Sequence, residues 1–277
     1  MSEMAVQEHP IDVRAYRGGV RALWAGNPWA VVQRGLIAAR SSSWIVVLSG
    51  FFEPVFYLAS MGIGLGALIG TIATPAGDVP YAAYIAPALL AVSAMNGAVY
   101  DSTWNVFFKL NYGKLYEGML STSLGPLDVA LGEIIYALLR GLAYATGFMI
   151  IMQFAGLNLS WTAILALPAV LLIAFGFASI GMAITSYMKA FQHMDWINFV
   201  LLPMFLFSST FYPVTVYPEA VQAIVMALPL WHGVELVRGL TLGILEPVML
   251  VHVAYYVVMI GLGLLFTTKR LRTLFLD

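Results

Sequence analysis

Long, uninterrupted apolar runs separated by short polar stretches organise this sequence. They cover approximately Trp44–Ile69, Ala82–Phe108, Val129–Phe154, Trp161–Met188, Trp196–Tyr212 and Pro247–Phe266. A helix needs about 20 largely apolar residues to cross the hydrocarbon core of a bilayer. The runs are continuously apolar rather than alternating, which predicts helices and argues against a barrel. The expected fold is all-α and integral to the membrane, with six spans. One further apolar stretch, "YPEAVQAIVMALPLWHGVELVRGL" from Tyr217 to Leu240, is split by Pro229 and then carries His232, Glu235 and Arg238. It predicts two short helices that enter the outer leaflet and return, a re-entrant hairpin before the last span.

Composition sharpens this picture. Of 277 residues, 61% are hydrophobic and only 10% charged, with a mean hydropathy of +0.88. Soluble domains carry roughly 25% charged residues, so a soluble fold is excluded. There are no cysteines, hence no disulfides, thiolate chemistry or Cys-ligated metal. The first 30 residues lack the pattern of a cleaved signal peptide. Residues 1–43 form a polar leader and 44–277 one membrane domain, without internal repeat or linker.

Charge distribution sets the expected orientation. Arg14, Arg17, Arg21, Arg34 and Arg40 precede the first span; Lys109 and Lys114 follow the second, Lys189 the fourth, and Lys269, Arg270 and Arg272 the last. All fall on one side, which the positive-inside rule makes cytoplasmic, together with both termini. Asp78, Glu219, Glu235 and Glu246 fall on the outer side, with Arg238 as its lone cation. Within the leader, Arg14, Arg17 and Arg21 share one helical face and Val13, Tyr16, Val20 and Leu23 another. That pattern suits a helix lying on the cytoplasmic leaflet, or an ordinary basic leader. Asn27-Pro28 reads as the start of a second helix leading to span one.

Candidate chemistry is sparse. No G-x-x-x-x-G-K-[ST] loop occurs, and no nucleophile–base set. His232 and Glu235, three apart, are a weak metal pair, and no metal site is expected. Gly62, Gly66 and Gly70 line one face, for packing within the chain or between subunits. In span two, Ser93, Asn96, Tyr100 and Thr103 recur at helical spacing beside Asp101 and Asn105. They form either a pathway surface or an internal hydrogen-bonding face. In span one, Phe51, Phe52, Phe56 and Tyr57 suit substrate contact and packing equally. Glu53 and Arg140 lie within spans at similar depth, which suits an intramembrane ion pair with Pro54 bending span one around it; the alternatives are Glu53 paired with a polar group of another span and Arg140 reaching toward the cytoplasmic interface.

The stretch "GKLYEGMLSTSLGPLDVALGE", Gly113–Glu133, is unlike its surroundings: short, half-polar and broken at Gly125-Pro126. With "EPVFYL" at Glu53–Leu58 and the outer "FYPVTVYPEAVQAIVMALPLWHGVELVRG", it resembles the permease of a type-2 ABC exporter. The likeness is to the lipo-oligosaccharide (nodulation-factor) and daunorubicin-resistance branch. This chain departs from that branch in having Leu228 where Asn commonly precedes the hairpin proline. The resemblance implies a cytoplasmic interface helix, six spans, a coupling helix between spans two and three, and the outer hairpin. It implies that Lys114, Tyr116, Glu117, Met119 and Leu120 engage an ATPase, with Tyr116, Met119 and Leu120 as apolar anchors. It also implies an amphipathic cargo, a glycolipid, lipid-linked sugar or hydrophobic drug, along a pathway including Phe52, Phe56, Ser93, Asn96 and Tyr100. ATP and Mg would be bound by two partner ATPase subunits, not by this chain. The other expected partners are a second permease and membrane lipid, with no nucleic acid, in a bacterial inner membrane. A proton-coupled secondary transporter using Glu53 or Asp101, and a membrane enzyme of lipid metabolism, are the alternative classes.

Overall fold

The structure, a computed structural model, describes residues 24–40 and 44–275. The interfacial helix expected around Arg14–Leu23 lies outside the described residues. Helix α1, Pro28–Arg40, begins with the proline whose missing N–H suits a first helical turn. Next comes α2, Trp44–Ala59, which continues through a π-helical turn, Ser60–Leu65, into α3, Gly66–Ile69. Strands β1, Thr71–Thr74, and β2, Gly77–Pro80, then pair antiparallel, with Thr71 opposite Pro80 and Thr74 opposite Gly77.

Helix α4, Tyr81–Tyr100, runs on through π-helical turns at Asp101–Asn105 and Phe108–Tyr112. After the short α5, Leu115–Leu120, come α6, Pro126–Phe154, and α7, Ala166–Tyr187, the latter entered by a 3-10 turn at Trp161–Leu165. Helix α8 is Met194–Phe207, α9 is Glu219–Ala227, α10 is Pro229–Leu242, and α11 is Met249–Phe275.

Among the described residues, five segments are long and apolar enough to cross a bilayer: Phe52–Ile69, Tyr81–Tyr112, Pro126–Phe154, Trp161–Tyr187 and Met249–Leu274. These are the expected spans one, two, three, four and six, and the protein is an all-α integral membrane protein. Span five is shorter than its apolar run. Helix α8 has 14 residues, about 21 Å at 1.5 Å per residue, and the chain leaves the helix at Ser208-Ser209-Thr210, whose side chains are buried. Hydroxyl residues that can hydrogen-bond locally compete with the helix there. Helices α9 and α10 are bent by 86° about Leu228-Pro229, the broken hairpin that Pro229 predicts.

The bundle is built around α4. Within Tyr81–Tyr112 an 18-residue apolar stretch has 78% of its residues buried within the chain; in Phe52–Ile69 only 11% are buried. Helix α4 packs against α2, α6, α7 and α10, while α7 packs most extensively on α11. At that crossing a Cβ on Gly263 would come within 2.5 Å of the Ser179 backbone, so the two helices meet at a distance only glycine permits. Gly62 and Gly66 face Ala82 and Tyr81 of α4. The small-residue face of span one therefore packs within the chain at Gly62 and Gly66, whereas a Cβ on Gly70, which has φ +73°, would meet nothing within 4 Å.

Candidate functional site

Helices α2, α4, α6 and α8 enclose an open cavity of about 770 Å³. Ser93, Asn96 and Tyr100 of α4 line it, the half-exposed part of an otherwise buried helix. Thr103, the next member of the same stripe, is buried and donates to the Val99 carbonyl at 2.6 Å. The stripe thus divides, three residues to the cavity and one to the helix interior. Tyr57, Trp104 and Tyr144 add aromatic walls, and Leu201, Leu202 and Phe205 of α8 an apolar one. Phe52 and Phe56 do not line this cavity. They stack on each other with centroids 5.6 Å apart on an exposed face of α2.

The expected Glu53–Arg140 pair is not formed. Both residues line the cavity, but Arg140 pairs with Asp101. Asp101 opens the π-helical turn in span two and also accepts a 2.8 Å hydrogen bond from Asn105. Glu53 instead accepts from Asn96 at 3.5 Å. Matching depth allowed Arg140 to meet a carboxylate, but α4, which carries Asp101, lies against α6. Measured from the end of the bundle where α4 finishes and α6 begins, Asp101 and Arg140 agree in depth to within about one turn.

The polar stretch after span two occupies that same end. Lys114 sits in the left-handed region at φ +47° and opens α5. The helix turns Tyr116, fully buried, and Met119 inward onto the chain's own core. This corrects their expected role as anchors for a partner. A six-residue helix laid on the start of α6 gains more by covering that core than by presenting apolar side chains to water. Lys114 and Glu117 are exposed and Leu120 is half-buried, so these positions remain on the accessible side. Burial, with the Glu133 carboxylate nearby, holds the Tyr116 hydroxyl well above its ordinary pKa, although Arg34 opposes this.

Two carboxylates fasten the region. Glu133 of α6 accepts from Lys109 at 2.5 Å. Asp128, fully buried, accepts from the backbone N–H groups of Ala25 (2.6 Å), Asn27 (2.8 Å) and Gly125 (2.9 Å). It caps α6 and ties α1 to it through three charge-assisted bonds. Just beyond, a Cβ on Gly132 would lie 2.7 Å from the Pro28 carbonyl, so α1 seats directly on α6.

The opposite end holds features that sequence reasoning missed. Arg238 of α10 is buried, donating to Glu235 at 2.5 Å and to the Ser209 carbonyl at 2.6 Å, with its guanidinium 3.9 Å from the Tyr84 ring centroid. It joins the hairpin to α4 and to the strained exit of α8, where Ser209 has φ +57°. His232 and His252 place their Nδ1 atoms 2.8 Å apart, one ring donating to the other. They lie 20 positions apart on α10 and α11, so helical spacing gave no signal. Among the described residues no group of three or more potential ligands could hold a metal.

Comparison with known proteins follows the same architecture. A model of the family described as ABC-2 type transporter matches residues 28–242. The chain is 31% identical over 260 residues to nodulation protein J of Rhizobium leguminosarum bv. viciae, covering 92% of this chain and 98% of that protein. It is 32% identical to nodulation protein J of Sinorhizobium fredii over 78% of this chain and 83% of that one. For nodulation protein J of Rhizobium meliloti the identity is 28%, over 83% and 87%.

Proposed function

The chain belongs to the ABC-2 type transporter family, and on that premise we propose that it is the membrane subunit of an ATP-driven exporter whose amphipathic substrate passes through the cavity between α2, α4, α6 and α8. The observation that carries this reading is the cavity itself. Helix α4 is otherwise buried, yet it opens Ser93, Asn96 and Tyr100 to a space lined by polar groups, aromatic rings and the apolar side chains of Leu201, Leu202 and Phe205. Polar groups within a span are costly unless they face protein or water, and a lining of mixed polarity suits a molecule with a polar head and an apolar tail. As the branch that the sequence resembles implies, the cargo is a glycolipid, a lipid-linked sugar or a hydrophobic drug.

ATP and Mg belong to partner ATPases, two per functional unit, and a second permease copy or relative completes the route. The stretch Phe52–Ile69 of span one is mostly uncovered by this chain and is the side on which we place that second permease. The end of the bundle bearing Lys109 and Lys114 faces the cytoplasm, with both termini, in a bacterial inner membrane. There the ATPase engages the exposed Lys114 and Glu117 and the half-buried Leu120. Its movement reaches the spans through α5, whose Tyr116 and Met119 are embedded in the bundle, and through the Lys109–Glu133 pair.

Affinity purification of the tagged permease from its native membrane tests this. Recovery of an ABC ATPase in equal amount, with hydrolysis lost when Lys114 and Glu117 are both replaced by Ala, is the expected result. Recovery of permease without ATPase, with uptake driven by a proton gradient, would favour the secondary transporter.

A further inference from the structure

The cavity holds a charge that its own residues leave uncompensated. Two charged side chains line it, Glu53 and Arg140, and Asp101 adjoins it through its contact with Arg140. Asp101 and Arg140 pair and cancel. Glu53 remains, its carboxylate held only by the 3.5 Å bond from Asn96 and, among the described residues, in no ion pair. It sits inside span one, directly before Pro54, where a lone carboxylate is expensive. A fixed negative charge retained at such a cost, facing an open cavity, calls for a mobile partner.

The walls say what kind. Tyr57, Tyr100, Trp104 and Tyr144 border the same space. The faces of such rings are electron-rich and attract organic cations, most strongly where water is scarce. A small inorganic cation would need a shell of several oxygen ligands, and among the described residues no cluster of three or more potential ligands exists. One carboxylate among aromatic rings suits a bulky, weakly hydrated nitrogen cation. The apolar side chains of α8 offer a place for its tail.

We propose that the cavity selects amphiphiles bearing a basic or quaternary nitrogen over neutral or anionic ones, with Glu53 as the counter-charge and Tyr100 among the rings that cover the cation. This rests on the reading of the cavity as the substrate route and adds the charge of the cargo's head to it.

A pair of probes matched in shape but opposite in charge tests it: tritiated tetraphenylphosphonium and tetraphenylborate, binding to the purified permease in nanodiscs, with empty nanodiscs as background. The wild-type protein should retain the cation above background and not the anion. Glu53→Gln should weaken cation retention about tenfold or more, the loss of one close charge contact. Glu53→Asp should keep most of it. Tyr100→Leu should weaken it with the charge intact, while Tyr100→Phe should not. All variants should elute as the wild type does on size exclusion. Equal retention of both probes, no specific retention of the cation, or unchanged cation retention in Glu53→Gln would each overturn the proposal. The assay needs no ATPase. A permease that selects the cation but recovers no ATPase would therefore contradict the export reading and leave the cation site standing. The converse result would do the reverse.

Discussion

At the scale of single residues, the buried charges decide where this chain is fragile. Arg140 and Asp101 neutralise each other between α6 and α4. Removing one leaves the other unpaired in low dielectric, which costs on the order of 3–5 kcal/mol. Arg140→Gln and Asp101→Asn should each sharply lower the yield of folded permease in a fluorescence size-exclusion assay. The double neutral variant should recover much of it, and a double variant as poor as the two singles combined would show that the residues are not coupled. Asp128 acts differently. Asp128→Ala frees three backbone N–H groups and should cost several kcal/mol, at about 1.5–3 kcal/mol for each bond to a charged group. The loss should appear first as protease cleavage between residues 24 and 40, because α1 is what that side chain ties down. The ion pair also marks a limit of reading from sequence. The rule that an intramembrane charge seeks a partner at its own depth correctly says that Arg140 has one. It cannot choose between Glu53 and Asp101, since which spans are neighbours is a tertiary fact.

At the scale of elements, legibility follows the strength of the constraint. Five of the expected spans appear as single long segments because bilayer thickness and the need to satisfy backbone groups internally leave the chain little freedom. The bend between α9 and α10 was legible in Pro229. The strands Thr71–Thr74 and Gly77–Pro80 were not, because four residues are too few for an alternating pattern to stand out from a loop. The short α8 was missed because Phe211 and Tyr212 extend its apolar run beyond the serine-rich exit. The apolar spacing of Tyr116 and Met119 was visible, but it does not say whether the surface they cover belongs to this chain or to another. Here it is this chain's own. Met119→Asp should therefore reduce thermal stability, by about 2–3 kcal/mol for the lost burial and more for the carboxylate. It should do so in permease purified without any ATPase. A variant that is stable alone and defective only in complex would return Met119 to the interface.

At the scale of the whole molecule, the bundle is asymmetric. Its centre, α4, is almost enclosed, while Phe52–Ile69 of span one is largely bare, and Glu53 and Tyr57 within it flank the cavity. Arg238 and the His232–His252 contact lock the hairpin to α4 and α11 at one end, and Asp128 locks α1 to α6 at the other. Between these fixed ends lies the cavity, bordered by the π-helical turn at Asp101, a geometry that recurs at functional positions in helices. In the proposed function this cavity is part of a route opened and closed by ATP. Its most direct test is a single cysteine at Ser93, in a protein with no other cysteine, labelled by a water-soluble maleimide in the purified permease–ATPase complex. The labelling rate should change severalfold when ATP and vanadate trap the nucleotide-bound state. It should not change when the same nucleotide is added to permease alone. A rate indifferent to nucleotide in the intact, hydrolysing complex would contradict the claim that substrate crosses the membrane here.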